Sequence, residues 1–337
     1  MKRIILLLSA VFLLLGCARQ ASEKESKALS WGQIQTVYVF ADDNTWNAVE
    51  KPLKASLGRT VTTTDEEPWF DVKRADIASF DKFYRFSNII FFYAGDAVGP
   101  ANERAGELLG SAVSGMPADS AAIFTRDNLW CRDQFVMFVT AGSDKKLFSY
   151  TEAATEHIYR QYASLLLKRM AARVYQPGVR PDKELNGLPW KADIPFTYAL
   201  YRHDPNGTFR SYLYRQSEHA DRYFAVYSDT WDGKGSQLDW AVKTRNRIIG
   251  KYYEGDSIAV KEIKSEETTL GSYKALKIWG RWQNHKYYVG GAFQTFVITD
   301  PSSRKVFFVD NSVFFPDGMK LDALLELESI SATFRIR

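Results

Sequence analysis

The sequence predicts an α+β fold, with an α/β-type N-terminal half and a C-terminal half that carries an antiparallel sheet and helices. Three observations lead there. The first half mixes short, continuously apolar runs of strand length with stretches of helical periodicity, the pattern of strands covered on both faces. The second half is a succession of strand-length segments separated by turn signals and interrupted by few helices. Between them a long helical pattern stops at Gln176-Pro177-Gly178, followed by Arg180-Pro181. With 337 residues, 45% hydrophobic and 25% charged, the chain holds one large or two medium domains, and is neither a disordered chain nor a disulfide miniprotein.

The N-terminus comes first in order. Lys2 and Arg3 precede an apolar run from Ile4 to Leu15 that ends Leu14-Leu15-Gly16-Cys17. As a helix this run would span about 18 Å, short of the roughly 30 Å hydrocarbon core, so it reads as a secretory signal peptide. Its ending resembles the bacterial lipobox, which predicts cleavage before Cys17 and acylation of that residue with several chains, palmitate among them, enough for firm membrane anchoring. Residues 1–16 are then the signal peptide. Residues 17–30 are the lipidated Cys and a polar, flexible tether. Ala18 after the lipid Cys is compatible with sorting to the outer membrane, and which face the protein takes there stays open. With Cys17 acylated, Cys131 has no intramolecular partner, and its place after Trp130 beside strand patterns predicts burial.

The N-terminal half, 31–178, opens with a strand over Thr36 to Ala41. Asp42-Asp43-Asn44 offers N-caps to a helix whose apolar positions are Trp46, Val49, Leu53 and Leu57, closing at Gly58. Pro52 inside that pattern predicts a kink or a late start. Asn88 to Ala94 is a second buried-type strand. Ala121 to Thr125 and Gln134 to Thr140 form a further pair. Glu152 to Tyr175 is the strongest helix, with Ile158, Tyr162, Leu166, Met170 and Val174 in one stripe.

The C-terminal half, 179–337, predicts strands over Phe209 to Arg215, Arg222 to Thr230, Tyr273 to Gln283, Lys286 to Thr299 and Lys305 to Phe315. One helix, Asp239 to Tyr253, interrupts them, and another, Lys320 to Ser331, closes the chain.

Charge and motifs narrow the function by exclusion. The net charge is +4, and losing Lys2 and Arg3 with the leader leaves +2, which gives no electrostatic case for nucleic acid. No P-loop, G-x-G-x-x-G or G-x-S-x-G motif occurs, and no cofactor is implied. His157, His203, His219 and His285 lie at no metal-ligand spacing, and His157 reads as a solvent-facing helix residue. The neighbouring acids Glu66-Glu67 and Glu266-Glu267 read as solvated loop charges.

The aromatic content is high: 22 Phe, 18 Tyr and 9 Trp, 15% of the chain. Much of it falls in strand cores. One cluster stands apart, Trp279, Arg281, Trp282, Tyr288, Gly290, Gly291 and Phe293. Tyr and Trp pair an apolar face with a polar handle, and glycine inside a strand lets another backbone or a ligand approach closely. These seven residues are the candidate binding face, against the alternative of a core-packing hairpin with a bulge.

The same stretch carries a resemblance. Gly280 to Trp282, Gly290-Gly291-Ala292-Phe293, Phe314-Phe315-Pro316 and Leu325-Glu326-Leu327-Glu328-Ser329-Ile330 resemble a family of Bacteroidetes-type lipoproteins, domain of unknown function 4837 (DUF4837). The likeness extends to Val39 through Trp46 and to Arg85 through Ile90. Trp279, Ala292 and Ser329 depart from the family's Arg, Pro and Ala. The resemblance implies no activity and transfers no catalytic residue.

The expected function is a lipid-anchored protein of the bacterial cell envelope, at the outer membrane. It would be a non-enzymatic binding or interaction module for a glycan, a peptide or an envelope protein. The alternative is an envelope hydrolase whose site is assembled from distant segments, with His219 or His285 beside a carboxylate.

Overall fold

The computed structural model describes residues 27–300 and 302–337, with the backbone alone described at Asp182 and Glu184. The predicted signal peptide, Cys17 and most of the tether lie outside the described residues. The chain forms an α+β fold that divides into two compact units. One holds the residues up to Arg59 and Pro68–Tyr162; the other holds Thr60–Glu67 and Ala163–Arg337.

The first unit begins with β1 (Thr36–Phe40) and α1 (Asp43–Leu57). Helix α1 runs without interruption through Pro52, and Trp46, Val49, Leu53 and Leu57 are its buried face, so the apolar stripe prevails over the missing N–H. The two short strands β2 (Thr60–Thr62) and β3 (Glu66–Pro68) pair with each other, and residues 60–67 of this segment belong to the second unit. The first unit resumes with β4 (Asp71–Arg74), α2 (Phe80–Phe83), β5 (Asn88–Ala94), α3 (Pro100–Leu109), β6 (Ala121–Asp127), β7 (Phe135–Ala141) and α4 (Asp144–Val174), the last of which counts with the second unit from Ala163 on. The sheet order is β4-β1-β5-β7-β6, parallel throughout except for the antiparallel edge strand β6. Every residue of β7 is buried and β5 is buried but for Tyr93, which accounts for their continuous apolar runs. Helix α4 starts eight residues before the predicted Glu152, because its first turn is polar and its cap comes from elsewhere: the Asp144 N–H donates to Asp96 Oδ1 at 2.7 Å. Tyr162 on this helix donates to the Ile89 carbonyl at 2.9 Å. Cys131 is buried.

The second unit continues with β8 (Trp190–Lys191), β9 (Ala199–His203), β10 (Phe209–Tyr214), β11 (Asp221–Thr230), α5 (Gln237–Tyr252), β12 (Ser257–Ile258), β13 (Lys264–Leu270), β14 (Tyr273–Asn284), β15 (Val289–Thr299), β16 (Lys305–Phe314), α6 (Leu321–Ser331) and β17 (Arg335–Ile336). Its main sheet runs β12-β14-β15-β16-β11-β10-β9, with β13 also pairing β14, and these pairings are antiparallel. One face packs Tyr212, Phe224, Phe296 and Phe307 with Leu324, Leu327 and Ile330 of α6. The other packs Ala225, Ile278, Phe293 and Phe308 with Ala241, Ile248 and Ile249 of α5. Burial on both faces gives β15 and β16 each an unbroken run of buried residues, with Gln294, Thr295, Asp310, Asn311 and Ser312 as buried polar positions among the apolar ones.

Glu67 corrects an expectation. It is 3% exposed rather than solvated: its carboxylate accepts the Thr63 hydroxyl and the backbone N–H groups of Lys320 and Leu321, at the start of α6. A helix start leaves N–H groups without intrahelical acceptors, and a carboxylate there satisfies them. Glu66 does stay on the surface, held by Thr60 and Thr62.

Candidate functional site

The sheet face covered by α5 ends in an open cleft of about 270 Å³ beyond the C-terminus of that helix. Its walls come from separate elements. Tyr201 is on β9, Tyr223 on β11, Tyr253 just past α5, Trp282 on β14 and Phe314 on β16, with Tyr287 from the β14–β15 turn. Tyr201 and Tyr253 lie nearly parallel, their centroids 6.1 Å apart, and the Tyr223 ring meets both edge-on at 5.6 and 5.7 Å. Trp282 and Phe314 form a second aromatic pair at 6.2 Å.

The polar groups of the cleft are equally placed by the fold. Asn284 is 3% exposed and organises the turn, its Oδ1 accepting the N–H groups of Lys286 and Tyr287 at 3.0 and 3.1 Å. Its Nδ2 donates to Asp256 Oδ1 at 2.7 Å. Glu254 accepts from the Tyr287 hydroxyl at 2.7 Å and faces Arg202 at 3.6 Å. Arg215 is held by Asp221 through three hydrogen bonds of 2.6 to 3.0 Å. Beneath, Arg245 of α5 is 3% exposed and spans Asp310 at 2.6 and 3.2 Å, Thr295 at 3.0 Å and Ser312, a lining residue, at 3.0 Å, with its guanidinium over the Phe293 ring. Burial pushes the Asp256 carboxyl above the usual carboxylate range, although the Asn284 hydrogen bond and the Arg245 charge act the other way. Burial likewise raises the Tyr223 hydroxyl to about 12.

The structure distributes the seven residues of the sequence-based candidate face. Trp282 lines the cleft. Its indole lies against Gly291 and donates to the Val313 carbonyl at 3.2 Å. A Cβ on Gly291 would come within 1.9 Å of that carbonyl, so the glycine serves the close approach of indole and backbone. Phe293 is buried under Arg245. Arg281 is exposed and pairs with Glu262. Tyr288 is 93% exposed in the turn, with φ of 54°. Trp279 is half-buried and Gly290 abuts the Trp282 carbonyl. Sequence reasoning missed Tyr201, Tyr223, Tyr253 and Asp256. The signal available was the tyrosine pairs at element ends, Tyr252-Tyr253 and Tyr287-Tyr288.

The first unit has its own crevice, about 840 Å³, at the carboxyl ends of β4, β1 and β5, where the strand order reverses. Most of its acids have structural partners. Asp42 accepts the Ala101 and Asn102 N–H groups at 3.1 and 2.9 Å at the start of α3, Asp43 pairs with Arg74 at 2.6 Å, and Asp96 caps α4. Burial, then the charges of Asp96 and Asp42, pushes the Asp144 carboxyl up. Among the described residues no group of three His, Cys, Asp or Glu side chains is placed to hold a metal ion. The four histidines are exposed. No helix of the described residues is long and apolar enough to cross a membrane.

Comparison with known proteins gives two family matches. Residues 185–333 match Domain of unknown function (DUF4837), and residues 30–175 match a different one, Domain of unknown function (DUF8532). The DUF4837 match thus does not extend to Val39–Trp46 or Arg85–Ile90, which fall in the second family's range. No curated protein matches the chain. Among solved structures, the Saccharomyces cerevisiae Ran-binding protein Mog1p overlays 45% of this chain and 92% of its own, at 13% identity and a TM-score of 0.32. LpqN, described as involved in cell envelope biogenesis of Mycobacterium tuberculosis, overlays 45% of this chain and 87% of its own, at 16% identity and 0.29. Overlays at this level set neither fold nor function here.

Proposed function

We propose that this chain, whose residues 185–333 belong to the DUF4837 domains of unknown function, is a lipid-anchored binding module of the bacterial cell envelope. The ligand site is the aromatic cleft of that domain. The observation that carries this reading is the convergence of six aromatic side chains from separate elements around a few fixed polar groups. A cavity with that lining is the usual build of a small-molecule site, and about 270 Å³ suits a single ring or side chain rather than an extended polymer. The anchor is Cys17 after its lipobox-like run, and Ala18 after it supports the outer membrane as the destination. The chemistry is binding rather than turnover, and the partner is a small molecule or a side chain of an envelope component.

Two measurements test it. Cys17→Ser should abolish acylation and move the protein to the soluble fraction; a variant still bound to membranes would refute the anchor. A thermal-shift screen of the mature chain against small envelope metabolites should yield compounds that stabilise the wild type but not Tyr223→Ala. A screen with no such compound would refute the cleft as a ligand site.

A further inference from the structure

We propose that the ligand group taken by the aromatic cleft is an organic ammonium, seated against the tyrosine faces and paired with Asp256. This rests on the cleft being a ligand site at all, and adds the charge and class of what enters.

Charge matching comes first. The arginines that border the cleft each have a carboxylate of their own: Arg215 with Asp221, Arg245 with Asp310, and Arg202 with Glu254. Lys286, at the rim, donates to the Tyr287 hydroxyl at 2.8 Å. Asp256 has none. It accepts from the neutral Asn284 amide, and no ion pair reaches it among the described residues. A half-buried carboxylate without a cation is costly unless something supplies one, and a bound ammonium does so.

The helix adds to this. Tyr253 is the C-cap residue of α5, a helix of 16 residues, and Glu254 and Asp256 follow it directly. The last turn of a helix carries about half a negative charge, which favours a cation at that end. The aromatic lining contributes in the same direction, because ring faces are negative and attract cations, best of all quaternary ammonium groups. Carboxylate, helix end and rings therefore act together.

The alternatives lack this match. An anion would face Asp256 and Glu254 with the bordering arginines already paired and Lys286 bound to the Tyr287 hydroxyl, which itself donates to Glu254. An acyl chain would desolvate both carboxylates and give nothing back. A neutral sugar would use the rings and accept hydroxyl contacts, but would leave the charge of Asp256 unmatched.

The test is titration of the mature chain, followed by Trp fluorescence or calorimetry, with three probes. These are choline, N-acetyl-lysine methylamide and 3,3-dimethyl-1-butanol, the last a neutral isostere of choline. Saturable binding of either ammonium is expected, with the isostere weaker by about tenfold or more. Preference for choline points to a quaternary headgroup or free amine, and preference for the lysine analogue to a peptide side chain. Asp256→Asn, folded by circular dichroism, should weaken ammonium binding about tenfold and leave the isostere unchanged. Equal binding of isostere and choline, or binding of neutral compounds without either ammonium, overturns this inference and leaves the cleft a ligand site. No saturable ammonium binding up to high millimolar concentrations also overturns it, and the screen above then decides separately whether the cleft binds anything.

Discussion

The carboxylate of Glu67 accepts the backbone N–H of Lys320 at 2.8 and 2.9 Å, and through Oε2 that of Leu321 at 2.7 Å. Residues 253 positions apart in sequence thus share one helix cap. The hairpin that supplies it lies between α1 and β4 in the chain yet folds with the second unit.

From this geometry Glu67→Ala should destabilise the protein by about 1–3 kcal/mol, since it removes a cap and leaves buried donors unsatisfied. Glu67→Gln, which keeps an acceptor oxygen and loses the charge, should cost less. Urea denaturation of the three proteins checks the order. Equal midpoints for wild type and Glu67→Ala would show the cap to be dispensable.

Arg245 and Asp310 form a buried pair whose guanidinium Nη1 has no hydrogen-bond partner. Breaking such a pair from one side strands a charge, so Arg245→Met or Asp310→Leu should each cost about 3–5 kcal/mol. The double variant should lose much less than the two together. A double-mutant cycle by chemical denaturation measures this, and strictly additive losses would mean that the two side chains are not coupled.

Cys131 is 1% exposed, and burial pushes its thiol above the ordinary range. Both effects withhold the thiolate, so a maleimide or disulfide reagent should leave Cys131 untouched in the native protein and react fully in denaturant. Rapid native labelling would contradict the burial of Cys131.

What the sequence made legible follows from burial. Asn88–Ala94 and Lys305–Phe314 announce themselves because both faces of those strands are covered, and the stripe from Ile158 to Val174 because one helix face is. Strand β13, with the sequence KSEETTL, has no such pattern: it lies along one side of β14, exposed except at Thr268 and Leu270, and is held mainly by backbone pairing. Glu67 was illegible for a related reason. Its partners are backbone N–H groups far along the chain, which no side-chain pattern encodes. In the cleft, Trp282 came from a visible cluster. Tyr201, Tyr223 and Tyr253 did not, because strand register and the end of α5 bring them together, and neither is written in local periodicity.

Gly291 makes room for the Trp282 indole, and its substitution separates packing from ligand chemistry. An added Cβ would meet the Val313 carbonyl at 1.9 Å and the indole Nε1 at 2.8 Å. Gly291→Ala should therefore cost about 1–3 kcal/mol by overpacking and move Trp282 out of the cleft wall. A shifted Trp emission with a lowered denaturation midpoint is the expected result. Unchanged emission and stability would mean that the indole is not held against this glycine.

Asp256 has the opposite sign from an ion-paired acid. Burial raises its pKa in the folded chain above the unfolded value, so its neutral form is the one that favours folding. The stability it contributes is present below the unfolded pKa and is lost as pH rises through the raised folded value. The groups that face it are Glu254 on its own loop, Arg245 of α5 and Asn284 of β14, and of these Glu254 pushes its pKa further up while Arg245 and Asn284 oppose the rise. Without ligand, the wild type should lose stability relative to Asp256→Asn on going from acid toward neutral pH. Ammonium affinity should run the other way and strengthen over the same interval, because the carboxylate is the form that pairs. Denaturation midpoints and choline titrations across that range check both trends. Parallel stability profiles for the two proteins would mean that Asp256 titrates as an ordinary surface acid.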